Sequence, residues 1–187
     1  MRMVVKPQFI REIATVDITA VKNLVGRTSD RVWDLEDERK ENKFDCFHHT
    51  RHIVFRFIEG MRDHRCFYSN PIWDVWKGHL LPVLDEVVVG YGFARPVYPK
   101  VMLARLEAGA VIDRHTDGAG SNLHTHKIHV PIQTNKRTRM FINDRPFHLS
   151  EGKAFEVNNV VPHAVENLGS EDRIHLIFEV FDGESAE

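Results

Sequence analysis

The chain has 187 residues, 42% hydrophobic and 28% charged, which suits one globular domain of about 1–187 with a hydrophobic core of its own. Lys+Arg 25 against Asp+Glu 27 leaves a net charge of −2, so there is no broad basic field to argue for nucleic acid as a partner. No apolar run approaches a membrane span, and the N-terminal Met-Arg-Met-Val-Val-Lys-Pro has no apolar signal region, so the expected setting is cytoplasmic, away from membrane. The two cysteines, Cys46 and Cys66, are then expected as reduced, partly buried thiols. Twelve histidines are many for this length, and they carry most of the information.

Residues 1–11 alternate loosely and suit an edge strand. Asp17 is placed to cap a short helix carrying Ile18, Val21 and Leu24, ending near Gly26. Thr28-Ser29-Asp30 offers a second start, leading through Trp33 into a mixed-sign run from Glu36 to Lys43 that reads as a solvated face. His49 to Phe57 is rich in β-branched and aromatic residues and suits a strand. On it, His49 and Arg51 either point toward a ligand or occupy a wet face. Ser69-Asn70-Pro71 is a helix start, followed by Ile72, Val75, Trp76, His79, Leu80, Val83, Leu84 and Val87 on one helical face. Pro82 is expected to kink or divide that helix.

Beyond Gly90 the pattern changes to short strands between turn residues. Strands are expected at 97–106, 111–115, 128–133, 138–142, 147–149, 153–157, 163–166 and 173–181. The organisation is α+β and mainly β: a helical N-terminal part over about 1–92, packed on one face of a jelly-roll sandwich over about 93–182.

Three residues stand out in that sandwich. The strand Val111–His115 ends in His115-Thr116-Asp117 and breaks into a loop containing Gly118 and Gly120. His163 follows Pro162 at the entry to a later strand. Two imidazoles and one carboxylate form a facial triad that holds non-haem Fe(II) with three positions open, although zinc accepts the same ligand types. On the last strand, alternation puts Arg173, His175, Ile177 and Glu179 on one face. A buried arginine there needs an anion; otherwise Arg173 is a strand-start residue paired with Glu171 or Asp172. Lys127 and His129 share one face of their strand, where they meet either carboxylates in the same cavity or solvent. His124 and His126 read as rim histidines, and the glycine loop completes no phosphate-binding fingerprint.

Taken together, Arg105 to Asp117, Lys127-Ile128-His129-Val130-Pro131-Ile132, Pro162-His163 and the Arg173 strand resemble the aspartyl/asparaginyl β-hydroxylase-like branch of the Fe(II)/2-oxoglutarate oxygenases, which includes small bacterial proline hydroxylases. The resemblance implies a double-stranded β-helix in which His115, Asp117 and His163 ligate Fe(II). It further implies that Arg173 binds the distal carboxylate of 2-oxoglutarate and that His129 is a further co-substrate contact. Relatives often carry arginine where this chain has Lys127, and that departure leaves two roles open for it, binding the co-substrate carboxylate or the substrate carboxylate. The implied reaction consumes O2 and 2-oxoglutarate and hydroxylates an unactivated C–H of an amino acid, a peptide side chain or another carboxylate-bearing molecule. The retained Asp117 favours hydroxylation over halogenation. Arg105, Arg51 and His49 are the candidate substrate contacts, with Arg114 a further available cation. The rival expectations are a cupin-type metal protein without oxidative chemistry and a non-catalytic ligand-binding or sensor module.

Overall fold

The computed structural model describes residues 3–41, 43–118 and 120–184. Asn42 in the mixed-charge run, Ala119 in the glycine loop, and Met1 and Arg2 of the expected edge strand lie outside the described residues.

Two antiparallel sheets face one another. The larger has seven strands in the order β1 (Ile10–Thr15), β9 (Lys153–Val157), β6 (His126–Gln133), β11 (Arg173–Asp182), β4 (Pro96–Leu106), β2 (Thr50–Ile58) and β3 (Phe67–Ser69). The smaller runs β5 (Val111–His115), β10 (His163–Asn167), β7 (Thr138–Ile142) and β8 (Arg145–Phe147). Helices α1 (Thr19–Arg27), α2 (Asp30–Glu38) and α3 (Ile72–Val88) cover the outer face of the larger sheet. The fold is a jelly roll with helices on one side, as the strand count led one to expect. The N-terminal part over about 1–92 is not purely helical: β1, β2 and β3 lie in it and extend the large sheet.

Period-two alternation decides what each face of that sheet does. Ile174, Leu176, Phe178 and Val180 of β11 join Val101 and Leu103 of β4 and Trp76, Leu80 and Leu84 of α3 in one core beneath the helices. The opposite face turns toward the small sheet, where Met102, Ala104 and Ile177 meet Val54 and Phe57. A third cluster, including Ile112, Met140, Val157 and Val165, seals the other end of the sandwich.

The structure departs from the sequence expectations at several points, each with a local cause. The edge strand lies at Ile10–Thr15 instead of 1–11; Pro7, which has no N–H to give a ladder, sits in the irregular stretch before it. Strand β8 begins at Arg145 instead of 147, because Asn143 and Asp144 both take positive φ (46° and 64°) and close a two-residue hairpin with Ile142 opposite Arg145. Helix α3 runs undivided through Pro82, which has no N–H to donate to the carbonyl of Gly78, and Gly78 is an exposed residue. Val75 faces solvent, and Trp73 takes the core position instead. Cys66 is exposed, while Cys46 is half-buried, and both are free thiols. No helix among the described residues is long and apolar enough to cross a membrane.

Candidate active site

Strands β5 and β10 pair so that His115 lies directly opposite His163. Asp117 follows the end of β5, and its N–H donates to the carbonyl of Asn159 in the turn before β10 (3.1 Å). One ligand atom from each of His115, Asp117 and His163 falls within 4.8 Å of the others, and Asp117 Oδ1 is 3.9 Å from Nε2 of either histidine. Both imidazoles are turned for metal. Nδ1 of His115 lies 2.7 Å from the Asp113 carbonyl and Nδ1 of His163 lies 2.9 Å from the Val161 carbonyl. A carbonyl only accepts, so each Nδ1 carries the proton and each Nε2 presents a lone pair to the shared space.

Asp117 is held from behind. Its Oδ2 accepts from Lys127 Nζ and from Asn159 Nδ2 (2.9 Å), leaving Oδ1 toward the histidines. Burial works against this carboxylate, but Lys127, His163 and the two donors hold it well below the usual carboxylate range. Burial also lowers His163, to about 4, so its imidazole is neutral and able to bind metal at ordinary pH. The donor set and its protonation fit a divalent metal of the Fe(II) kind.

The triad opens onto a cavity of about 400 Å³ between the sheets, with Arg173, His129, Lys127, Met102, Ile177 and Phe57 among its lining. Arg173 is 1% exposed and has no carboxylate partner among the described residues. One of its Nη atoms donates to His175 Nδ1 (2.7 Å), and its Nε has no partner. Burial lowers its pKa to about 9, yet leaves it a cation at neutral pH. Nε2 of His129 and of His175 are likewise buried and unpartnered, and burial keeps both rings neutral. A buried guanidinium with an unused donor is costly without an anion, so this end of the cavity fits a carboxylate ligand.

Other candidates lie elsewhere. Arg105 faces the helices, bonded to Asp172 and Asp30 (both 2.6 Å) over the ring of Trp33. Arg51 lies beside it on the same face, bonded to Asp34 (3.1 Å) and Glu107 (3.4 Å), and His49 sits near Glu107 at half exposure. None of the three lines the cavity. Period two puts Arg51 and Arg105 on the helix face with Ile53 and Leu103, where they pair with Asp30 and Asp34 of α2, with Glu107 and with Asp172 instead of facing the cavity. Arg114 is an exposed partner of Asp144, and His126 is bonded to buried Glu156. Several cavity residues went unnoticed in the sequence: His52, Lys100 paired with Glu179 (2.7 Å), and Asn159. Asn158-Asn159 reads as a turn, and its place just ahead of the Pro-His entry was the available signal.

The sequence profile of the family described as aspartyl/asparaginyl beta-hydroxylase matches residues 78–182. No curated protein matches the chain in sequence. Among solved structures, the fold is similar to a 2OG-Fe(II) oxygenase family oxidoreductase from Burkholderia pseudomallei, with a TM-score of 0.54, 12% identity and coverage of 82% of this chain and 78% of that one. It is also similar to the viral collagen prolyl hydroxylase of Paramecium Bursaria Chlorella virus-1 in its 2OG complex, with a TM-score of 0.52, 10% identity and coverage of 92% and 96%. At such identities the likeness is one of fold.

Proposed function

Because the chain belongs to the aspartyl/asparaginyl β-hydroxylase family, we propose that it is an Fe(II)- and 2-oxoglutarate-dependent dioxygenase hydroxylating a carboxylate-bearing amino acid or peptide side chain. The observation that carries this reading is the meeting, in one cavity, of the His115–Asp117–His163 cluster and the buried Arg173, which has no carboxylate partner among the described residues. Bound together, Fe(II), 2-oxoglutarate and O2 supply an oxidative decarboxylation to succinate and CO2 that leaves an oxidant able to hydroxylate a C–H.

The chain's part is binding, orientation and exclusion of water. His115, His163 and Asp117 Oδ1 would hold the metal from one side, leaving the other side to the reactants. Arg173 would take the distal carboxylate of 2-oxoglutarate through a fork suited to that geometry. Met102, Ala104, Ile177 and Phe57 give that chamber apolar walls. Charge supports a carboxylate on the substrate. A divalent metal and Arg173 balance Asp117 and the dicarboxylate, and Lys100 balances Glu179. Among the charged residues that line the cavity, Lys127 is then left as the surplus cation.

The test is to load the protein anaerobically with Fe(II), add 2-oxoglutarate and O2, and screen amino acids and short peptides. Substrate-stimulated succinate and a product heavier by one oxygen are expected. An iron-occupied protein that releases no succinate with or without substrate would refute the assignment.

A further inference from the structure

Asp117 is the only one of the three clustered groups with two equivalent ligand atoms, and its second oxygen is already engaged. Asn159, fully buried in the turn between β9 and β10, contacts Asp117 twice: its Nδ2 donates to Oδ2 (2.9 Å) and its carbonyl accepts the Asp117 N–H (3.1 Å). The other Nδ2 hydrogen goes to Asn122 Oδ1 (2.8 Å), and Asn122 in turn donates to the Gly118 carbonyl (2.8 Å) across the rim loop. The side-chain oxygen of Asn159 accepts from Lys6 Nζ (2.9 Å), which also reaches the Thr125 carbonyl (2.7 Å). These partners fix the amide's orientation. Reversed, its oxygen would face the Asp117 carboxylate and its NH2 would face an ammonium.

We propose that Asn159, anchored by Lys6, is a positioning residue that restricts Asp117 to one-oxygen metal binding. The proposal rests on the metal-dependent reading of this site. A carboxylate free to turn could chelate through both oxygens and close a position the reactants need. Asn159 and Lys127 saturate Oδ2 and so oppose that rotation. The turn bearing Asn159 also delivers His163, so one short segment sets two of the three proposed ligands. Lys6 lies outside the residues matched by the family, 78–182, so part of this support comes from the N-terminal segment. Val4 secures that segment by donating its N–H to the Leu123 carbonyl (3.0 Å).

The experiment is an anaerobic Co(II) titration, followed by visible absorbance and calorimetry, of wild type, Asn159→Ala, Lys6→Met and Lys6→Arg, with melting of each metal-free protein as a folding control. Asn159→Ala is expected to weaken Co(II) binding by about 10–100-fold, the usual range for removing a group that orients a metal ligand, and to change the cobalt spectrum. Lys6→Met should show a smaller loss of the same sign, and Lys6→Arg should return toward wild type. A purely structural role would lower the melting temperature and leave the affinity and spectrum of the folded protein unchanged. Wild-type affinity and spectrum in Asn159→Ala would overturn the proposal. If that variant does not fold, wild-type behaviour in Lys6→Met overturns it. Wild-type protein that binds no Co(II) overturns both the proposal and the metal reading. Wild type that binds metal tightly yet yields no succinate overturns the oxygenase reading alone.

Discussion

Strand β11 has two faces of different character, both buried. Ile174, Leu176, Phe178 and Val180 point under the helices into a continuous apolar core. Arg173, His175, Ile177 and Glu179 point between the sheets, where a guanidinium nitrogen and imidazole nitrogens are left without partners. Folding alone does not favour the second arrangement, since unsatisfied buried polar atoms weaken a protein. One face therefore serves stability, and the other retains a destabilising arrangement that a ligand would relieve.

A matched pair of substitutions tests this contrast most directly and carries the largest expected effects. Arg173→Leu removes the cavity-face cation. It should lower kcat/KM for 2-oxoglutarate on the order of a hundredfold or more, the scale for truncating one partner of a buried charge pair. Its metal-free stability should hold or rise, because a buried charge with no acid partner is costly and an apolar side chain removes that cost. Leu176→Ala, three residues along on the other face, should lose about 2–5 kcal/mol in urea unfolding. The molecules that remain folded should keep wild-type affinity for metal and 2-oxoglutarate. If both variants lose stability and activity together, the division of labour between the faces is wrong.

Acid sharpens the same contrast with a smaller effect. Burial lowers His163 to about 4 and places His129 and His175 well below their ordinary value. An unfolded chain protonates these rings near pH 6.5. Below that pH it binds protons the folded protein does not, so metal-free stability should fall as pH drops from about 6.5 to about 4. Urea midpoints measured across that window should show the decline. Leu176→Ala should displace the curve downward with its slope unchanged, whereas His175→Gln should flatten it. An unchanged slope in His175→Gln would place the titrating groups elsewhere.

How legible these features were in the sequence follows from which interactions are local. The division of β11 is fixed by period two, so the sequence alone assigns Arg173 and Leu176 to opposite faces. His115 and Asp117 end one strand and His163 opens another, both at visible turn signals, so the triad was also legible. Asn159 was not, because an Asn-Asn pair reads as a turn, and its partners Asp117, Asn122 and Lys6 are distant in sequence. The β8 start was missed because Asn143 and Asp144 both adopt positive φ, which a turn-prone sequence permits but does not require. The surroundings of Arg51 and Arg105 were not legible for a related reason. They are cations on strands near the metal motif, and what decides their role is α2, which brings Asp30 and Asp34 over their face of the sheet.

Arg51 gives the smallest expected effect and tests whether the helix-side face takes part in recognition. Its guanidinium lies on the helix face near Asp30 (3.6 Å), Asp34 (3.1 Å) and Glu107 (3.4 Å), with 27% of its side chain exposed. Ion pairs this accessible contribute modestly, because water already solvates both partners and salt screens them. Arg51→Gln should therefore cost less than about 1 kcal/mol of stability, with the difference shrinking in high salt. Since the side chain points away from the cavity, kcat/KM for 2-oxoglutarate and for the substrate should stay within about twofold of wild type, a change of less than about 0.5 kcal/mol. A selective rise in substrate KM with stability unchanged would restore Arg51 as a substrate contact. It would also mean that the helix-side face takes part in recognition, contrary to the division seen along β11.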